Sequence, residues 1–116
     1  MNEETVLLSQ PSATTKKSGH TLLNIDLIKK ASKVLRAINH PLRQNLLTLI
    51  HESQTINVTD IYVKMRIEQS VASQHLAILR AAEAVKTKRE GKQIYYTINY
   101  DGIQHVNSCV DKLVNK

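Results

Sequence analysis

The chain of 116 residues predicts a mainly α fold closed by one small β-hairpin, and three observations carry that expectation. Apolar residues recur at helical spacing through the first half of the chain. Two short helical stretches then meet across a tight link at residues 66–69. After Glu83 the pattern changes to a Val/Thr and Ile/Tyr/Thr-rich stretch split by Glu90-Gly91, before a final helical stripe.

The elements follow in order. Residues 1–20 (MNEETVLLSQPSATTKKSGH) are rich in Ser, Thr, Lys and Glu without sustained periodicity, and are expected to form a flexible N-terminal tail ahead of one domain over 21–116. From Asn24 to Ile38, the positions Leu27, Ile28, Ala31, Val34, Leu35 and Ile38 keep the helical period. Asn39-His40-Pro41 stops that helix. Pro41 suits the first turn of a second, because its missing N–H has no partner there anyway, and Leu42, Leu46, Leu47, Leu49 and Ile50 carry it to about His51. Asn57 in TINVTDIYVKM is placed to cap a short third helix, with Asp60 three residues on favouring its positive end. The link RIEQ leads into QSVASQHLAILR, where Ala72, Leu76 and Leu79 mark one buried stripe. VKTKREGKQIYYTI then reads as a hairpin turning near Gly91. Ile103, Val106, Val110 and Leu113 mark the last helix, from about Asp101 to Val114.

Composition sets the outer limits. At 41% apolar the chain can bury one modest core, and a net charge of +6 fits a polyanionic partner, although surplus lysine also serves solubility. One cysteine, Cys109, excludes an intramolecular disulfide framework and a Cys-only zinc site, which points to a cytoplasmic protein. No apolar run approaches the roughly 20 residues needed to cross a bilayer, and MNEETVLL lacks the basic start of a signal peptide, so neither a membrane role nor export is expected. No glycine-rich phosphate loop, oriented Cys-His pair or paired carboxylates suggest an enzyme.

The order α-α-α-α-β-β-α is that of a winged helix-turn-helix. HPLRQNLLTLI, SVASQHLAILR and VKTKREGKQIYYTI together resemble the ArsR-type family of small dimeric winged-helix repressors, over about residues 27–115. The resemblance implies a homodimer that binds double-stranded DNA at a pseudo-palindromic operator.

That implication gives the QSVASQHLAILR helix its reason. A helix in the major groove needs short side chains able to bond base edges or phosphates. Gln69, Ser70, Val71, Ser73, Gln74 and His75 are the candidates. Gln74 suits bidentate pairing with an adenine edge, and Val71 suits a thymine methyl. Ser70 stands near enough to the helix start to act as its cap instead, and His75 borders the apolar stripe, where a core-edge packing role competes with a phosphate contact. Lys86, Lys88, Arg89 and Lys92 face only Glu90 in the hairpin, which suits the phosphate backbone or the minor groove. One of Tyr95 and Tyr96 is expected to pack inward.

Dimerisation is expected from Leu27, Ile28 and Ala31 of the first helix and from Ile103, Val106, Val110 and Leu113 of the last. Many members of the family respond to metals, but the aligned thiolate positions hold Asn57 and Thr59, and the other aligned site holds Tyr100, Gly102, Leu113 and Lys116. Asp101, His105 and Cys109 recur at four-residue spacing, yet Asp101 suits a helix cap and Cys109 borders an apolar stripe. No metal or other cofactor is therefore expected. Two alternatives stay open: a winged-helix protein-interaction module without DNA binding, and a metal-responsive repressor with a non-standard site.

Overall fold

The computed structural model describes residues 22–115. The tail expected over residues 1–20 lies outside them. In chain order the elements are α1 (Ile25–Ile38), α2 (Pro41–Ser53), β1 (Ile56–Asn57), α3 (Val58–Met65), α4 (Gln69–Ala81), β2 (Val85–Glu90), β3 (Gln93–Ile98) and α5 (Tyr100–Val114). No described helix is long and apolar enough to cross a membrane.

Local chemistry sets the helix starts. Asn24 accepts a hydrogen bond from the Leu27 N–H at 3.1 Å, so the first helix begins one residue after its cap. His40 stands in extended backbone at the head of α2, with Pro41 next. Asn57 caps α3 as its sequence predicts, its Oδ1 accepting from the Asp60 N–H at 2.8 Å. Two cap expectations are corrected. Ser70 lies inside α4, whose cap residue Glu68 makes no side-chain capping bond. Asp101 also lies inside its helix, because Asn99, the residue after β3, accepts from the Gly102 N–H at 3.3 Å and so opens α5.

The predicted hairpin has a third strand. β1 pairs antiparallel with β3, matching Ile56 with Tyr96 and Asn57 with Tyr95, and the sheet order is β1-β3-β2. Two residues are too few to show a period, and the cap at Asn57 masks the strand signal just before it. The hairpin itself runs in register from Val85↔Ile98 to Glu90↔Gln93. Its two-residue loop places Gly91 at φ +63°, a conformation that an L side chain rarely adopts.

The core of the 34–115 unit is built where these elements meet. Leu46 and Ile50 of α2, Ile61 of α3, and Leu76 and Leu79 of α4 are fully buried, and Ile56, Ala84, Val85 and Ile98 close the cluster from the sheet. Burying each large aliphatic side chain contributes about 1.5–3 kcal/mol, so the α2–α4 stripes anchor the helix-turn-helix to the rest of the unit. At the turn between α3 and α4, Arg66 adopts the left-handed conformation, and its N–H bonds to the carbonyls of Tyr62 and Val63. Gly102 allows a close approach at the other end of the unit. A Cβ there would collide with the Glu83 carbonyl, to which the Asn99 amide donates at 2.9 Å.

Candidate nucleic-acid interface

The burial of Ala72, Leu76 and Leu79 fixes which way α4 faces. Gln69, Ser70, Ser73 and Gln74 are exposed, and Val71 and His75 are half-buried at the margins of that face. No carboxylate lies within the helix. The exposed side is therefore a close-set row of hydroxyls and amides without negative charge, able to donate to phosphate oxygens and both to donate to and to accept from base edges.

The hairpin presents the cations. Its strands alternate faces, so Val85 is buried, Thr87 is half-buried, and Lys86 and Lys88 point outward. At the tip Arg89 and Lys92 are exposed as well. Lys88 and Glu90 form an ion pair at 3.4 Å, with both side chains largely in solvent, so it is readily exchanged for an external anion. Tyr96 packs on the core, and burial raises its phenol pKa against the lowering influence of Arg80. Tyr95 is half-buried in the same strand.

His75 has its own environment. Its Nδ1 lies 3.1 Å from Nη1 of Arg43, and its ring centroid lies 5.0 Å from that of His40. Burial, then Arg43, then His40 hold its pKa below the ordinary value. Sequence reasoning missed Arg43, which is only 8% exposed. The signal was present: Arg43, Leu46 and Ile50 occupy one helical stripe, so an arginine stands where an apolar residue belongs.

The predicted dimer residues divide by exposure. Leu27, Ile28 and Ala31 of α1 are exposed, and so is Leu113 of α5, at 69%. Val106 and Val110 are half-buried, and Ile103 packs against the core of its own unit. Of the three ligands considered for a metal, Cys109 Sγ and His105 Nε2 lie 3.9 Å apart on the exposed side of α5. No group of three His, Cys, Asp or Glu side chains converges among the described residues.

No protein-family model matches the chain. Individual relatives do. The transcriptional repressor PagR of Bacillus anthracis is 31% identical over 75 residues, 65% of this chain and 75% of PagR. Its crystal structure superposes with a TM-score of 0.60 at 26% identity, over 75% of this chain and 99% of that one. The transcriptional repressor SdpR of Bacillus subtilis is 31% identical over 85 residues, 73% of this chain and 93% of SdpR. An ArsR-like transcriptional regulator from Rhodococcus has a TM-score of 0.67 at 15% identity, over 76% of this chain and 82% of that one, a likeness of fold alone. With the helix-turn-helix, the three-stranded wing and these relatives in agreement, the chain belongs to the ArsR-type family of winged-helix transcription regulators.

Proposed function

We infer that the protein is a sequence-specific DNA-binding transcriptional repressor that acts as a homodimer on a pseudo-palindromic operator. The observation that carries this reading is the division of α4, with Ala72, Leu76 and Leu79 sealed in the core and Gln69, Ser70, Ser73 and Gln74 held outward. Two relatives named as repressors support it. Gln74 and Val71 read base edges, Ser70 and Ser73 bond phosphates or bases, and His75 lies at the margin of the contact. Lys86, Lys88, Arg89 and Lys92 take the flanking phosphates or the minor groove.

Dimerisation supplies the second half-site. The exposed Leu27, Ile28 and Ala31 of α1 and, on α5, Leu113 with the flanking Val106 and Val110 are apolar surface that a second copy covers. Ile103 contributes from beneath. A two-fold axis then sets the two α4 helices about 34 Å apart, one turn of B-DNA. Bound there, the dimer represses by excluding polymerase from the overlapping promoter. Selection of bound sequences from random duplex DNA tests the reading. Enrichment of an inverted repeat with half-sites one turn apart supports it, and recovery of unenriched sequence contradicts it.

A further inference from the structure

Arg43 ties three elements together. It lies on the buried stripe of α2, its Nε donating to the Ala37 carbonyl at 2.6 Å and its Nη2 to the Arg36 carbonyl at 3.3 Å. Both carbonyls belong to the last turn of α1, where oxygens lack intrahelical partners and the helix dipole is negative. That end offsets the charge of a buried guanidinium for which the described residues provide no carboxylate partner. The remaining arm, Nη1, reaches Nδ1 of His75 on α4 at 3.1 Å.

This last contact dictates a proton position. A guanidinium has N–H groups and no acceptor, so the Nδ1 facing it carries a lone pair, and the imidazole is neutral with its proton on Nε2. The groups around the ring are Arg43 from α2 and His40 from the α1–α2 junction, whose Nδ1 accepts from the Arg43 backbone N–H at 3.5 Å. α4 itself adds no carboxylate. Among the described residues no carboxylate meets the ring, and burial, Arg43 and His40 together disfavour its charged form.

We propose that Arg43 is a positioning residue for the reading helix, gripping α4 through His75, and that acidification loosens this grip and lowers operator affinity. The proposal rests on the DNA-reading role of α4. Protonation of His75 sets N–H against N–H and puts a second positive charge beside Arg43. The direction of the effect follows from linkage. Well above pH 6.5, the ordinary histidine value, the ring is neutral whether α4 is gripped or free, and the grip is intact. As the pH falls through 6.5 the free form takes up a proton that the gripped form resists, and the free form gains until the lowered pKa of the gripped form is reached. Each unit between the two values weakens the grip about tenfold per helix. An imidazole serving only as a phosphate contact has the opposite sign, because its protonation strengthens binding to DNA.

The test is fluorescence anisotropy of the full chain on a selected operator from about pH 8 to 5.5, at fixed ionic strength. His75→Asn keeps a neutral acceptor near the Nδ1 position but does not titrate. The wild-type protein should lose operator affinity below about pH 6.5, while His75→Asn, whatever its affinity at pH 8, should hold that affinity level on acidification. In parallel, NMR titration of the DNA-free protein should place the His75 midpoint below 6.5 and move it upward in Arg43→Gln. Wild-type affinity that holds or rises on acidification overturns the proposal, as does a wild-type pH profile in His75→Asn. A wild-type His75 midpoint at or above 6.5 overturns it whether or not either variant folds. If the protein binds no DNA at any pH, the functional reading falls, and the titration still decides whether Arg43 and His75 are coupled.

Discussion

Leu76→Ala isolates the buried side of α4 from its exposed side. Leu76 is fully buried among Leu46, Ile50, Ile61 and Leu79, and the substitution removes three carbons from that cluster. At about 0.8 kcal/mol per carbon the lost transfer free energy is near 2.4 kcal/mol, and the residual cavity raises the cost to about 3–4 kcal/mol. For a domain of this size that lowers the melting midpoint by roughly 12 °C or more. Gln74, two residues earlier and exposed, should change stability by less than about 0.5 kcal/mol when replaced by alanine. Circular dichroism melts and urea titrations at one fixed protein concentration measure both, with the concentration held because self-association shifts the midpoint. A loss below about 1 kcal/mol in Leu76→Ala, or above it in Gln74→Ala, would refute the assignment of the two faces.

Further consequences are open to measurement. Leu113→Glu adds a carboxylate to a site 69% exposed in the single chain, so it should preserve the helical spectrum and weaken self-association in sedimentation velocity. A wild-type monomer at micromolar concentration would contradict the dimer. Gly102→Ala should cost about 1–3 kcal/mol in urea titration, since its methyl group meets the Glu83 backbone carbonyl; an unchanged midpoint would show that α5 shifts freely. Zinc, copper and arsenite should leave DNA affinity nearly unchanged in anisotropy titrations, because Asn57, Thr59, Tyr100 and Gly102 fill the aligned ligand positions. Metal-induced release of DNA that is lost in Cys109→Ser would show that the His105–Cys109 pair recruits further ligands.

The sequence made the long periodic elements legible and left the interactions between them obscure. The stripe Ala72, Leu76, Leu79 was enough to orient α4, because a helix with one apolar line has one way to face a core. Gly91 located the hairpin turn because the turn requires positive φ. β1 escaped notice because pairing across the sheet, rather than any local period, makes a strand of Ile56 and Asn57. Asp101 and Asn99 are both reasonable caps on composition, and the choice fell to Asn99 because β3 ends at Ile98 immediately before it. The Arg43–His75 contact joins residues 32 apart, so its only local trace was an arginine on an apolar stripe.

The central claim is that α4 reads bases while the wing holds phosphates, and one comparison tests it most directly: affinity for a selected operator and for random duplex DNA, across a salt series, in Gln74→Ala and Lys92→Ala. Gln74→Ala should lose about 1–3 kcal/mol on the operator and almost nothing on random DNA, because a base-edge contact carries discrimination. Lys92→Ala should weaken both and reduce the salt dependence by about one unit for each phosphate contact removed. Equal, sequence-independent losses in the two variants would contradict the account, leaving the polar face of α4 as a phosphate clamp or a solvated surface.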